Sequence, residues 1–345
     1  SSMADPPGRI RQPAAPVDEA LKVEAARAVR RASASRSDSY RRVVRGIEIS
    51  STQIGPGRGA TQMMALEDEH MSITSADVGF PMANSTTTSD AVAGFVAFRA
   101  GAPSMRWSGF DVRDGLILEY GAASDHAGTN IEGSSYTFAL IDLEGLQARA
   151  ETIGTRFTPA PRGSIRDVSA KASASEAARQ LLGLSSLRDG VAPPPPLMDD
   201  LLTAFTKALG LGSEQRTART LHRVDRGSVV RRCIEFASSI DHRPSINELC
   251  RAAGVSERML REAFIWVYDL PPSVFFRLSQ LDRAHDRLSS GEVITGGVAE
   301  VALAAGFGNL GRFAHHYRQL FGRLPSETYR LSLASEPKRG LGRFK

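Results

Sequence analysis

Apolar positions recur at helical spacing through the last third of the chain. Between residues 298 and 329 they fall at Val298, Val301, Ala302 and Ala305, then at Phe313, Tyr317, Leu320 and Phe321. That spacing predicts two short amphipathic helices. Gly306 and Gly308 interrupt the pattern between them, so the segment reads as a helix-turn-helix. Ala304 and Ala305 are small enough to let the helices cross closely, and Phe307 follows the turn to close the core. The arrangement is written twice. Ala252-Ala253-Gly254-Val255 aligns with Ala304-Ala305-Gly306-Phe307. After the turn the later copy carries one extra residue. Leu260 then meets Phe313, Phe264 meets Tyr317, Pro272 meets Pro325, Ser273 meets Ser326 and Phe276 meets Tyr329. Agreement at turn, core and terminating proline marks an internal repeat. Between the copies, Pro272–Leu288 reads as one helix with an inward stripe of Val274, Leu278, Leu281, Ala284, His285 and Leu288.

Upstream, from Ile47 to Gly154, the period changes to alternation and glycine, serine and threonine become frequent. Ala60–Leu66, Met71–Ala76, Ala93–Arg99, Ser104–Trp107, Leu116–Tyr120 and Tyr136–Leu140 read as antiparallel strands separated by turn signals. Short strands at such spacing predict a β-barrel or sandwich. Ser175–Leu184 reads as a helix packed on it, and Pro193–Pro196 as a semi-rigid linker. Leu197–Leu211 and Arg219–Ile240 follow as amphipathic helices. The stripe of Leu201, Leu202, Phe205, Ala208 and Leu209 suits either intrachain packing or a partner helix. At the other end, Ser1–Pro16 has the composition of a disordered segment and Val17–Arg31 that of a helix. The basic stretch after it is either a nucleic-acid arm or a solvated flank. The expected division is a tail with a short basic helix over 1–46, a β-rich unit over 47–190, connector helices over 191–239, an all-α unit over 240–333 and a basic tail over 334–345. The fold class is α+β.

Composition narrows the picture. A chain of 345 residues that is 41% apolar holds two or three ordinary cores, and its net charge of +5 permits a polyanionic partner. The two cysteines, Cys233 and Cys250, read as buried thiols in a reducing cytoplasm. No apolar run approaches a membrane span and no secretory core stands near the start, where Ser1-Ser2 before Met3 read as a cloning remnant. Metal-ligand spacings are absent. His70 and His126 are far apart, and His126 sits in the polar stretch Ser124–Gly128, where exposure is the expectation. Trp107 and Phe110 flank Ser108-Gly109 and serve either as plain core packing or as an aromatic pair gripping an apolar ligand.

Ala302, Gly306, Phe307, Phe313, Tyr317, Arg318, Phe321, Gly322, Pro325 and Tyr329 follow a recurring pattern of small, aromatic, basic and turn residues. Over about residues 240–333 the chain resembles the AraC/XylS family of bacterial transcription regulators. The resemblance implies two helix-turn-helix units joined by a linker helix and a cupin-like sensing domain before them. It further implies dimerisation through the connector helices and activation through RNA polymerase.

A helix-turn-helix reads DNA because its second helix fits the major groove and presents early outward residues to base edges. In the first unit Ser256 caps a helix over Glu257–Tyr268, with Leu260, Ala263, Phe264 and Val267 inward and Glu257, Arg258, Arg261 and Glu262 outward. Arg258 and Arg261 suit bidentate bonds to guanine. Glu262 either accepts from cytosine or pairs with Arg258 one turn away. In the second unit Asn309 caps Leu310–Phe321, whose outward set is Leu310, Gly311, Arg312, Ala314, His315 and Arg318. Leu310 and Gly311 stand where many family members carry polar side chains, so the first unit is expected to supply most specificity and the second mostly affinity. Arg277, Arg283 and Arg287 are candidate phosphate contacts. The expectation is a cytoplasmic, sequence-specific regulator of double-stranded DNA, an activator, with an effector molecule or partner protein sensed by the N-terminal unit and a possible homodimer. No catalytic residue, metal or cofactor is assigned. The alternatives are a cupin-like enzyme fused to a DNA anchor and a constitutive binder with an inert N-terminal unit.

Overall fold

Alternation over residues 60–140 becomes a set of antiparallel strands in the computed structural model, which describes residues 29–34, 36, 48–57, 59–100, 105–187, 190–210, 226–240 and 242–335. The strands are β1 Arg30–Ala34, β2 Glu48–Gln53, β3 Thr61–Glu67, β4 Met71–Asp77, β5 Met82–Thr87, β6 Val92–Ala100, β7 Arg106–Trp107, β8 Phe110–Asp111, β9 Ile117–Tyr120, β10 Asp125–Asn130, β11 Ser135–Asp142 and β12 Ile165–Asp167. They form a seven-stranded sheet in the order β1-β3-β4-β11-β6-β9-β12 and a five-stranded sheet in the order β2-β5-β10-β7-β8. The described residues thus make two facing sheets and not one closed barrel.

Period-two alternation sends neighbouring side chains to opposite faces. Val96 and Phe98 point into the core between the sheets with Met63, Met82 and Leu118. Phe95 and Ala97 point the other way, to a core shared with three helices: α1 Leu143–Thr152, α2 Ala172–Gly183 and α3 Pro195–Gly210. The α3 stripe of Leu201, Leu202, Phe205, Ala208 and Leu209 is wholly in this core, and Phe205 meets Phe95 edge-on at 5.0 Å. Of the two roles open to that stripe, intrachain packing is the one the structure uses. The prolines before it do not form an extended spacer. Helix α3 starts at Pro195, a position that tolerates proline because the first helical N–H groups have no internal partner. Just ahead of it, the Gly190 N–H donates to Val29 O at 2.8 Å and the Val29 N–H to Val191 O at 3.0 Å.

Six strands escape the alternation reading: β1, β2, β5, β8, β10 and β12. β5, β10 and the second half of β2 are buried with serine, threonine and asparagine side chains. Those groups satisfy one another: Ser51 Oγ donates to Asn84 Oδ1 at 2.7 Å, and Asn84 Nδ2 donates to Asn130 Oδ1. His126 belongs to β10 and is only 2% exposed, which overturns its expected place on a polar surface loop. Arg30 and Arg31 open strand β1 where a helix over Val17–Arg31 was expected; the rest of that segment, and the disorder expected over 1–16, lie outside the described residues.

The C-terminal helices are α4 Arg226–Ser238, α5 Ile246–Ala253, α6 Glu257–Tyr268, α7 Pro272–Leu288, α8 Gly297–Ala304, α9 Leu310–Phe321 and α10 Pro325–Ser335. The expected helix over Arg219–Ile240 is thus α4, its first residues lying outside the described set. The outer face of the five-stranded sheet carries α4 and α6: Ala83 and Ala127 join a core with Val229, Val230, Leu260, Phe264 and Val267. From one side to the other the layers are helices, seven strands, five strands and helices. Phe205→Ala is expected to lower stability by about 3–5 kcal/mol, the range for emptying a large buried aromatic site, read as a shifted urea midpoint for the β-rich unit.

Candidate nucleic-acid interface

Each helix-turn-helix is assembled from local signals. α5 starts in a reciprocal cap, Ser245 Oγ accepting from the Glu248 N–H and Glu248 Oε2 from the Ser245 N–H. Gly254 ends it at φ +67°, a left-handed conformation that glycine adopts without strain. Ser256 caps α6 by accepting from the Met259 N–H, and Asn309 caps α9 by accepting from the Arg312 N–H at 2.9 Å. The second unit closes on Val301, Ala302, Phe307, Phe313, Tyr317 and Leu320.

Helix α7 ties the units together because it is rooted in both cores. Phe275 and Phe276 sit in the first, and Leu281, Ala284 and Leu288 in the second. His285 belongs to the second root: its Nδ1 lies 2.6 Å from Tyr317 Oη and its ring stacks on Phe321 at 4.1 Å.

On α6 the side chains of Glu257, Arg258, Arg261 and Glu262 are exposed over the first two turns. Leu260, Ala263, Phe264, Val267 and Tyr268 are buried. Arg258 Nε donates to Glu262 Oε1 at 2.9 Å, and Arg261 lies 3.5 Å from Glu257. Both arginines are therefore held along the helix surface in exposed pairs, which are worth little and open readily toward a better acceptor. The far end of α6 is covered instead. Trp266 lies against Gly109 of the β7–β8 turn, and Arg226 stands over its ring at 5.4 Å. Tyr268 Oη donates to Asn84 O at 3.4 Å.

On α9, Leu310, Gly311, Arg312, His315 and Arg318 are exposed, Leu310 at 49%. A Cβ on Gly311 would lie 3.3 Å from the capping oxygen of Asn309, so the glycine leaves room for the cap. The candidate phosphate contacts divide. Arg287 pairs with Glu300 and Arg283 donates to Ala237 O at 3.3 Å, whereas Arg277 is half-buried.

A helix-turn-helix domain family matches residues 249–330. Over 86 residues the chain is 37% identical to "XylDLEGF operon transcriptional activator 1" of Pseudomonas putida, a match covering 25% of this chain and 26% of that protein. Over 103 residues it is 30% identical to "Probable thc operon regulatory protein" of Rhodococcus erythropolis, covering 30% and 31%. It is 37% identical to the crystal structure of "a probable AraC family transcriptional regulator" from Rhodopseudomonas palustris, over 30% of this chain and 96% of that one, with a TM-score of 0.28. Residues 249–330 are an AraC-type helix-turn-helix domain. The match spans about a quarter of the length of the Pseudomonas putida relative.

In the β-rich unit, Trp107 and Phe110 part company. Trp107 lines a cavity between the sheets, while Phe110 packs beside it in the inter-sheet core. The cavity also takes in Tyr120 and Asn130, which the sequence reading passed over, and His126, which it placed on an exposed loop. His126 and Asn130 reach it from β10, a strand with no apolar alternation to reveal it.

Burial, with Arg36 and Arg323 nearby, pulls the His285 ring down to about 3. The unfolded chain, with an ordinary histidine value near 6.5, binds that proton first. The contribution of His285 to stability is full above pH 6.5 and is lost as the pH falls toward 3. Between pH 7 and pH 5 the loss is on the order of 2 kcal/mol. Urea unfolding at the two pH values measures it, and His285→Gln is expected to flatten the dependence by about that amount.

Proposed function

We propose that this chain is a sequence-specific transcription regulator that binds double-stranded DNA in the major groove and activates transcription in the cytoplasm. The observation that carries the reading is the pair of helix-turn-helix units rooted at opposite ends of α7, each with the early outward face of its second helix exposed. A helix tied into two cores keeps the reading helices at one spacing, which is what binding to successive grooves on one side of a duplex requires. The Pseudomonas putida relatives are named transcriptional activators, which supports the direction of control.

Base discrimination in this reading belongs to Arg258 and Arg261, with Glu257 and Glu262 as neighbours that hold them when no DNA is present. Leu310 meets a thymine methyl, Arg312 and Arg318 hold the backbone, Gly311 allows close approach and His315 bonds a base or phosphate. The β-rich unit is the sensing part, a cupin-like sandwich that takes a small molecule or partner protein, and it has no catalytic role. The α3 stripe is used up inside the chain, so a homodimer pairs through another surface.

Binding-site selection followed by gel shifts tests this. Arg258→Ala and Arg261→Ala are each expected to cost about 1–3 kcal/mol at one base position and to relax the selected sequence there. Arg318→Ala should weaken all duplexes alike and lower the salt slope by about 1. An unchanged selected sequence in both α6 variants overturns the assignment.

A further inference from the structure

What the β-rich unit senses is the open part of that reading, and the present inference rests on it. The cavity between the sheets holds about 520 Å³ including its mouth. Its wall is apolar and aromatic, with Phe98, Trp107, Tyr120 and Tyr136 among the lining residues, and Thr86 and Asn130 add polar edges. None of the lining residues is an aspartate, glutamate, lysine or arginine. A charged guest would be buried there without a fixed counter-charge, at high cost.

One group in that wall asks for a partner. His126 is 2% exposed and meets Tyr120 edge-on at 3.9 Å. The Tyr120 hydroxyl is already engaged by the indole N–H of Trp107 at 2.7 Å. Neither ring nitrogen of His126 has a hydrogen-bond partner among the described residues, an expensive state for a buried polar group. Burial pulls the ring down to about 3, so it is neutral at pH 7, with one nitrogen able to donate and the other to accept.

We propose that the inter-sheet cavity binds a small uncharged hydroxylated ring, its hydroxyl hydrogen-bonded to His126, and that strand β10 passes the effect of binding to the first helix-turn-helix unit. The strand is built for both tasks. His126 faces the cavity. Its neighbour Asp125 accepts from Arg231 of α4 at 2.7 Å, and its other neighbour Ala127 packs in the core with α4 and α6. Seating a hydroxyl on His126 displaces a backbone whose next residues on both sides hold the DNA-binding part. Packed interfaces convert such small shifts into a change of arrangement.

Phenol titrated into the full chain, followed by tryptophan fluorescence and calorimetry, tests the site, with toluene and benzoate as comparators. Phenol is expected to bind saturably and at least tenfold more tightly than either comparator. His126→Phe keeps the ring and removes both nitrogens, and it should weaken phenol at least tenfold while retaining the wild-type circular dichroism; His126→Leu serves if the phenylalanine variant does not fold. With a selected duplex, phenol should change the DNA affinity of the wild type severalfold but not that of Asp125→Asn, which still binds phenol. No saturable phenol binding, a preference for toluene or benzoate, or unchanged affinity without the imidazole overturns the site. An equal phenol effect on DNA in Asp125→Asn overturns the route through β10. If the wild type selects no duplex at all, the DNA-binding reading fails instead, and the phenol titration still judges the cavity.

Discussion

The central strands β5 and β10 of the five-stranded sheet are buried on both faces, and the rest of the molecule is arranged around that constraint. The sheet's inner face closes the cavity against the larger sheet, and its outer face carries the first helix-turn-helix unit. Such a close approach demands small residues. Ala83 and Ala127 supply them, and Gly109 sits where any Cβ would fall 2.3 Å from the Trp266 ring. The docking covers the C-terminal half of α6, with Trp266 and Tyr268, and leaves its first two turns facing away. The contact that joins the two parts of the chain therefore also decides which half of the reading helix is free.

Packing, more than charge, holds this arrangement. The ion pairs along α6 are exposed, and such pairs contribute roughly 0–1 kcal/mol each. The aromatic group of Phe264, Tyr268, Phe275 and Phe276 is buried and mutually in contact, Tyr268 stacking on Phe275 at 4.9 Å. Changing the angle between the two helix-turn-helix units would mean repacking both ends of α7 at once. Close-packed cores resist that continuously and yield only between discrete arrangements.

The tandem units were legible because each is local. Its caps, turn glycine and core face lie within about thirty residues, and helical periodicity records the buried side directly. The strands β3, β4, β6, β9 and β11 were legible for the same reason at period two. β5, β10 and the inner half of β2 were not, since strand residues buried on both faces with paired serine, threonine and asparagine show no alternation. His126 was misplaced on that account: Ser124–Gly128 carries the composition of a loop and the position of a core strand. Among the outward residues, the exposure of Arg258, Arg261, Arg312 and Arg318 followed from the helix phase. Their pairing did not, because the phase leaves a side chain free to turn along the helix or away from it.

By itself the sequence determined the two repeated units, the helix between them and the faces that each must bury. Only the tertiary structure decided what those faces meet. The α3 stripe turned inward onto Phe95 and not toward a second chain, and the half of α6 beyond Phe264 went under the small sheet. The physical reason is that periodicity states that a surface leaves water, whereas the identity of the surface that replaces the water depends on segments more than a hundred residues away.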